Sequence, residues 1–319
     1  MYMFKYILKR IGLMLMTFSI IFVICFVLIK MLPIVINVTV GQDANLIKEQ
    51  LIARGYYDPI PVQLFNYIKR ILQGDFGIGV NLPDYRNKPV LDIFLEKLPP
   101  TVLINVYSTI FSVPLGIGLG IFAALKKNKW QDHVISTGVM LFISIPGLVT
   151  AFLIQYVLCF ELGLFPLMME AGFDYFSLDM IKSMMPAVIA MSFSSVAGYT
   201  RFTRAELTEV LTSDYMLLAR TKGLTKGQAT LHHALRNAMV PIFPSIVGEF
   251  ISVLSGSLII EQIFSIPGVG GLYLNAITYQ DYDFFMMLSA FYIFIGLAAA
   301  IVIDLSYGFI DPRIRMGVK

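Results

Sequence analysis

Long uncharged stretches dominate this sequence and limit the folds that it can adopt. Six of them reach or exceed the roughly 18 to 20 residues that cross the hydrocarbon core of a bilayer, and Glu249 is the one charged residue within them. They are residues 11–29, 101–125, 134–160, 183–200, 238–260 and 284–303. Only 14% of all residues are charged, against roughly 25% in a soluble domain. The sequence therefore predicts an all-α membrane protein with six transmembrane helices.

Lysine and arginine cluster on alternate sides of these stretches, which orients the predicted helices. Basic residues precede the first helix, follow the second, recur through 201–236 and end the chain. The loop between the third and fourth helices holds Lys182 alone, and the loop between the fifth and sixth holds no Lys or Arg. Because cytoplasmic loops carry the excess of Lys and Arg, both termini are predicted to be cytoplasmic.

The six stretches divide the chain into four parts. These are the cytoplasmic N-terminus with the first helix (1–32), an external segment (33–100), the other five helices (101–310) and a cytoplasmic tail (311–319). In the external segment, Pro61 and Pro89 suit the first turn of a helix, and Gly55 suits a helix end. Short surface helices are therefore predicted there, over 46–54, 61–72 and 89–97.

Between Arg201 and Asn237 the apolar pattern gives way to a polar, net-positive stretch. Its sequence predicts two short helices joined by a hinge. Asp214 suits the N-cap of the first helix, and Gly223 suits a left-handed residue at its end. Thr225, with Gln228 three residues later, has the spacing of a capping box that opens the second helix.

The second of these short helices has two different faces. Spacing by three and four residues places apolar and polar side chains apart: Leu231, Leu235, Ala238 and Met239 against Gln228, His232 and Arg236. A short, capped, two-faced element on the cytoplasmic side predicts a docking surface for another protein.

Glu249 stands alone among the apolar residues of the fifth predicted helix. Carboxylates at membrane depth usually face a water-filled path or a polar partner. Three interpretations stay open: Glu249 lines a translocation path, hydrogen-bonds a neighbouring helix, or is exposed near a helix end.

Several kinds of chemistry are not indicated. No G-x-x-x-x-G-K-[ST] phosphate loop occurs, and Gly116, Gly118 and Gly120 lie inside the second predicted helix, where small residues allow close helix packing. His232 and His233 are adjacent, so on a helix they diverge by roughly 100° and share no metal. Cys25 and Cys159 lie in apolar stretches and are interpreted as packing residues. The formal net charge of +3 gives no indication of nucleic-acid binding.

Two other functional classes fit less well. A membrane-embedded enzyme would need paired ionisable groups at depth, and the predicted helix centres offer Glu249 alone. A channel or secondary carrier would not require the long capped cytoplasmic loop, and no inverted repeat is evident.

The polar stretch also carries a family resemblance. DYMLLARTKGLTKGQATLHHALRNAMVPI (214–242) resembles the signature cytoplasmic loop of binding-protein-dependent ABC importer permeases in the dipeptide, oligopeptide and nickel branch. Five further stretches resemble the first permease subunit of that branch: GDFG (74–77), PV (89–90), LPPT (98–101), EQIFSIPGVGGL (261–272) and DPRIR (311–315). The loop keeps Ala219 and Gly223, but it departs from the wider superfamily pattern at Leu217, Leu218 and Arg236.

This resemblance implies a permease subunit that is not itself an enzyme. In that family the loop sits in a cleft of an ATP-hydrolysing subunit and transmits its closure to the membrane helices. The residues assigned to this contact, within a coupling loop at 204–240, are Asp214, Ala219, Arg220, Gly223, Leu224, Thr225, Gln228, His232 and Arg236. ATP and Mg would be used by partner subunits, so this chain is expected to bind no cofactor and no metal.

The same resemblance implies the partners and the location. The partners would be a second, related permease subunit, two ABC ATPase subunits and an external substrate-binding protein, besides membrane lipid, and nucleic acid is not among them. The location would be the bacterial cell membrane. A peptide is the preferred substrate because the predicted helices hold no His or Cys cluster suited to nickel. A nickel or other small-solute importer of the same family is the alternative.

Overall fold

The computed structural model describes residues 2–33, 44–170, 172 and 174–310. Within them the chain is helical, and the β pairing consists of two isolated bridges, Ile78 with Pro89 and Gly79 with Arg86. The all-α prediction is confirmed. The basic tail with the DPRIR stretch lies outside the described residues, as do residues 34–43 of the predicted external segment.

Thirteen α-helices are found in the described part of the chain. They are α1 (Tyr2–Lys30), α2 (Ala44–Ala53), α3 (Ile60–Leu72), α4 (Val90–Leu125), α5 (Trp130–Ser144), α6 (Gly147–Ile154), α7 (Leu178–Leu211), α8 (Asp214–Thr221), α9 (Lys226–Ala229), α10 (Leu235–Ser252), α11 (Leu258–Ile263), α12 (Val269–Thr278) and α13 (Tyr282–Ile310). Helix α6 continues as a π-helical segment, Gln155–Glu161, and α9 continues as another, Thr230–Ala234. Two 3-10 turns, Pro83–Tyr85 and Val253–Ser255, complete the helical structure.

Four of the described helices are long and apolar enough to cross a membrane. They are α4 and α7, the part Tyr6–Lys30 of α1 and the part Tyr282–Ser306 of α13. A fifth crossing is reached when α5 is counted together with Gly147–Glu161, although the two are bent by 102°. The chain is thus a multi-pass membrane protein, and the count of six crossings stays a prediction.

The prediction of one continuous helix over 134–160 is wrong. The chain breaks at Ile145, whose backbone is extended (φ −83°, ψ 125°), just before Pro146. Proline lacks the N–H of a helical hydrogen bond and disfavours helical geometry in the residue before it. Pro99 and Pro100, in contrast, do not interrupt a helix, because α4 continues through both of them. The helices predicted separately over 89–97 and 101–125 are therefore one.

The fifth predicted helix is also shorter than expected. Helix α10 ends at Ser252, a 3-10 turn follows, and Gly256 has a left-handed backbone (φ +64°). Glu249 consequently lies in the last turn of α10 and not near the middle of a long helix.

The chain forms two compact units. The first consists of Met1–Thr101, Ser255–Leu258 and Pro267–Ala298. In it Asp281 accepts the backbone N–H groups of Val80, Asn81 and Leu82 at 2.7, 2.7 and 3.1 Å. Burial raises the pKa of Asp281, while these N–H donors favour its charged form. Helices α2 and α3 of this unit confirm the helices predicted over 46–54 and 61–72, and their place on the membrane surface stays a prediction.

The second unit consists of Val102–Leu254, Ile259–Ile266 and Ala299–Lys319. Here two glycines let α4 approach α7 closely: a Cβ on Gly116 would lie 2.6 Å from the Cβ of Tyr199, and one on Gly120 would lie 2.6 Å from the Cβ of Thr203. Gly118 faces open space. The interpretation of these glycines as packing residues is confirmed for two of the three.

Candidate functional site

The polar segment between α7 and α10 begins with a helix that is capped differently from the prediction. Ser213, not Asp214, occupies the N-cap of α8, with extended backbone (φ −76°, ψ 155°). Its hydroxyl donates to the carbonyl of Val210 at 2.6 Å and caps no N–H. Asp214 is the first helical residue, where its negative charge still complements the positive end of the helix dipole.

The end of α8 is built as the sequence predicts. Gly223 has φ +92°, a conformation that costs a residue with a Cβ about 1–2 kcal/mol. Its N–H donates to the carbonyl of Arg220 at 3.0 Å, and the N–H of Leu224 donates to the carbonyl of Ala219 at 3.4 Å. This pair of hydrogen bonds is a Schellman motif. Leu224 and Ala219 also pack in the same apolar cluster, as that motif commonly requires.

The next helix opens with the predicted capping box. The N–H of Gln228 donates to Oγ1 of Thr225 at 3.3 Å, and the N–H of Thr225 donates to Oε1 of Gln228 at 3.1 Å. Two backbone donors that the helix itself leaves unsatisfied thus find partners. The direction of the chain after the hinge at Gly223 is set by these two local hydrogen bonds.

The predicted faces of this helix are wrong in part. A π-helical segment, Thr230–Ala234, follows α9 and inserts an extra residue into the turn. The buried side chains are consequently Ala229, Thr230, Ala234 and Ala238, whereas Leu231 is 63% exposed. His232 and Arg236 are exposed as well, so Leu231 lies on the same outward side as the polar residues.

Buried side chains, most of them alanines, pack the polar segment against the long helices. Met216 and Ala219 of α8, together with Ala229, Ala234 and Ala238, pack against Ala124 of α4 and Leu207 of α7. The opposite side of the segment is exposed and carries large apolar side chains beside basic ones. These are Tyr215, Leu217, Leu218 and Leu231, with Arg220, Lys222, Lys226 and Arg236.

A cavity of about 530 Å³ adjoins the segment. It is lined by basic residues of two connections, Lys127 and Lys129 after α4 and Arg220 and Lys226 in the polar segment, and by Asp214. The segment thus presents both an exposed apolar surface and a polar recess.

An ion pair that the sequence does not reveal joins α5 to α7. Arg204 Nε lies 2.5 Å from Oδ1 of Asp132, and its Nη2 lies 2.8 Å from Oδ2. Asp132 is 1% exposed, and it also accepts the N–H of Asn128 and the hydroxyl of Ser136. A bidentate pair of this kind fixes geometry strongly.

Glu249 meets α7 at the middle of that helix. Ser195 Oγ donates to Oε1 of Glu249 at 2.8 Å, and the hydroxyl of Tyr199 lies 3.2 Å from Oε2. The same Tyr199 hydroxyl lies 3.2 Å from the carbonyl oxygen of Ser245. Glu249 is partly exposed. The hydrogen bond from Glu249 to a neighbouring helix is therefore present. It is compatible with a position of Glu249 on a translocation path.

Comparison with known proteins gives consistent results. The family model of binding-protein-dependent transport system inner membrane components matches residues 116–316. The chain is 35% identical to the dipeptide transport system permease protein DppB of Lactococcus lactis subsp. cremoris (strain MG1363), over 98% of this chain and 100% of that protein. It is 32% identical to DppB of Bacillus subtilis (strain 168), over 99% and 100% respectively.

Two further similarities extend this result. The chain is 31% identical to the glutathione transport system permease protein GsiC of Salmonella choleraesuis (strain SC-B67), over 98% of this chain and 99% of that protein. The solved structure of an amino acid ABC transporter with histidines matches with a TM-score of 0.50 and 21% identity, over 67% of this chain and 92% of the other. At that identity the likeness concerns the fold.

Proposed function

Because this chain belongs to the family of binding-protein-dependent transport system inner membrane components, and is thus an inner membrane permease of an ABC importer, we propose that it forms half of the translocation path of a peptide importer. The observation that carries the proposal is similarity over nearly the full chain, at 31–35% identity, to dipeptide and glutathione permeases. A nickel or other small-solute importer of the same family is the alternative.

The proposed topology has six crossings with both termini in the cytoplasm. The crossings are α1, α4, the bent pair from Trp130 to Glu161, α7, the interrupted helix α10 with α11, and α13. The distribution of Lys and Arg supports this orientation. In it the polar segment and the Lys127–Lys129 connection lie on the cytoplasmic side, and α2 and α3 lie outside.

The polar segment is proposed to dock into an ATPase subunit and couple ATP hydrolysis to the membrane helices. Its exposed leucines and tyrosine are what a docking surface requires, since contiguous exposed apolar side chains usually mark an interaction site. Its buried side contacts α4 and α7, so a force applied to the segment reaches long helices directly. Of the residues assigned to coupling, Ala219 is buried and Gly223, Leu224, Thr225 and Gln228 shape the segment. Asp214, Arg220, His232 and Arg236 are exposed.

The proposed assembly contains a second, related permease, two ATPase subunits and an external binding protein. ATP and Mg are used by the ATPase subunits, and membrane lipid surrounds the helices. Purifying the tagged chain from its own bacterial membrane tests this assembly. Co-purified ATPase subunits, with ATP-dependent peptide uptake after reconstitution, are the expected result. A homo-oligomer without ATPase subunits would contradict the proposal.

A further inference from the structure

We propose that Glu249 is the binding point for a cationic side chain of the transported peptide, the ammonium of a lysine or the guanidinium of an arginine, and that Ser195 and Tyr199 hold its carboxylate in position. This inference rests on the proposed peptide importer and adds a charge preference to it.

The carboxylate of Glu249 has more acceptor capacity than its protein neighbours use. An ionised carboxylate offers about four acceptor positions. Ser195 fills one, and the single proton of the Tyr199 hydroxyl is shared between Glu249 and the carbonyl of Ser245. No other described side chain fills the remaining positions, so water or donors carried by a ligand can take them.

Among the described residues, Glu249 has no cationic partner. No described Lys, Arg or His lies within ion-pair distance of it, whereas Asp132, which also contacts α7, is paired with Arg204. The stretch of α7 that faces Glu249 belongs to the uncharged run 183–200 and supplies hydroxyl groups instead. A carboxylate that has no cationic partner in the protein can pair with a cation carried by a ligand.

The end of a helix adds to the negative potential. Glu249 lies in the last turn of α10, which ends at Ser252, and the carboxyl end of a helix carries a partial negative charge of roughly half an elementary unit. Its partner Ser195 lies halfway along α7, a helix long enough to cross the membrane. Transporters often build their sites near the middle of the membrane from interrupted helices whose carboxyl ends face cations.

Small, exposed residues lie near Ser195 and Tyr199 on α7. Ser194 and Gly198, which neighbour Ser195 and Tyr199 on α7, are exposed. A Cβ at Gly198 would meet no atom within 4 Å. Exposed positions of α5, in contrast, carry large apolar residues such as Met140 and Leu141. This small, exposed stretch of α7 suits a hydrated cargo better than lipid.

The test measures charge selection by the complete transporter. The complex with its ATPase subunits and binding protein is reconstituted in vesicles, and ATP-dependent uptake of Ala-Lys, Ala-Ala and Ala-Glu is measured with saturating loaded binding protein. Each peptide is compared between wild type and Glu249→Gln, so that the preference of the binding protein cancels. The expected result is a fall of about tenfold in the uptake of Ala-Lys relative to Ala-Glu, as for the loss of one charge-assisted contact.

Three further variants separate binding from structure. Glu170→Gln removes one negative charge from an exposed glutamate in the loop before α7, and it should leave the Ala-Lys to Ala-Glu ratio unchanged. Ser195→Ala should lower the ratio in the same direction as Glu249→Gln but less, because it loosens the carboxylate without removing it. Glu249→Asp should restore part of the ratio.

Three outcomes would overturn the inference. An unchanged ratio in Glu249→Gln with normal uptake means that Glu249 does not meet the cargo. An equal loss for all three peptides, with less assembled complex, means that Glu249 only joins α10 to α7 or to the second permease. If the wild-type complex takes up no peptide of any charge, the proposed function itself fails, and the inference fails with it.

Discussion

Asp132 and Glu249 both contact α7, and their surroundings differ. Asp132 is buried and forms a bidentate ion pair with Arg204, supported by the Asn128 N–H and the Ser136 hydroxyl. Glu249 is partly exposed, and its carboxylate has two hydroxyl partners among the described residues, of which one is shared. A buried carboxylate that is fully paired within the protein is held in one geometry. A carboxylate that can still accept hydrogen bonds is able to bind a ligand and release it. We therefore assign Asp132 to structure and Glu249 to cargo.

The largest expected effect belongs to the fixed pair. Asp132→Ala leaves the Arg204 guanidinium without its partner and should destabilise the chain by about 3 kcal/mol, near the lower end for a broken buried pair because Arg204 is partly exposed. Thermal unfolding of the purified complex measures this. The double variant Asp132→Leu with Arg204→Met should recover most of the loss. An unfolding temperature equal to that of wild type in Asp132→Ala would mean that the ion pair does not contribute to the stability of the fold.

The next largest effect is expected in the polar segment, where coupling to ATP hydrolysis should not depend on which peptide is transported. Gly223→Val strains a left-handed backbone by about 1 to 2 kcal/mol, which corresponds to a loss of about five- to thirtyfold in the population of the docked conformation. Uptake of every peptide, and ATP hydrolysis stimulated by loaded binding protein, should fall together. Gly227→Val is the matched control, since Gly227 has no left-handed backbone and a Cβ there meets nothing within 4 Å. Wild-type uptake in Gly223→Val would remove the polar segment from the coupling role.

A smaller effect is expected when a single exposed charge of the polar segment is reversed. Arg236 is exposed, and a surface ion pair contributes up to about 1 kcal/mol. Arg236→Glu should therefore reduce uptake about two- to fivefold for all peptides, and the difference should shrink as salt is added. Initial rates of uptake at low and high ionic strength check this. A loss that depends on the charge of the peptide would instead place Arg236 in the path.

The smallest expected effect is on the stability of the Glu249 variant. In Glu249→Gln the side-chain oxygen still accepts from Ser195 or Tyr199, so the free energy of unfolding should change by less than about 0.5 kcal/mol. Thermal unfolding beside Asp132→Ala makes the comparison direct. If the two variants lose similar stability, the contrast between the two carboxylates disappears.

What the sequence alone predicts well is local. The capping box of Thr225 and Gln228 and the left-handed Gly223 involve hydrogen bonds between residues three to five positions apart, so residue types and spacing suffice to predict them. Helical spacing does not predict the outward position of Leu231, because a π-helical segment shifts the register by one residue. No residue type in 230–234 is a specific signal for a π-helix.

Contacts between distant residues could not be read from spacing. Asp132 and Arg204 are 72 positions apart, and Asp281 and Val80 are 201 apart. The break of the fifth predicted helix was missed for a related reason: 238–260 is almost wholly apolar, and hydropathy does not distinguish a continuous helix from an interrupted one. The single charge in that stretch identified Glu249, but its partners on α7 became visible only in three dimensions.

The exposed apolar side chains of the polar segment have a consequence for the life of the chain in the cell. Tyr215, Leu217, Leu218 and Leu231 are between 40% and 64% exposed, and a newly made copy presents them until a partner arrives. Uncovered apolar surface of this kind is what quality-control proteases and chaperones engage. We therefore expect the amount of this chain in the cell to follow the supply of the subunit that covers these residues, so that an unassembled copy is short-lived.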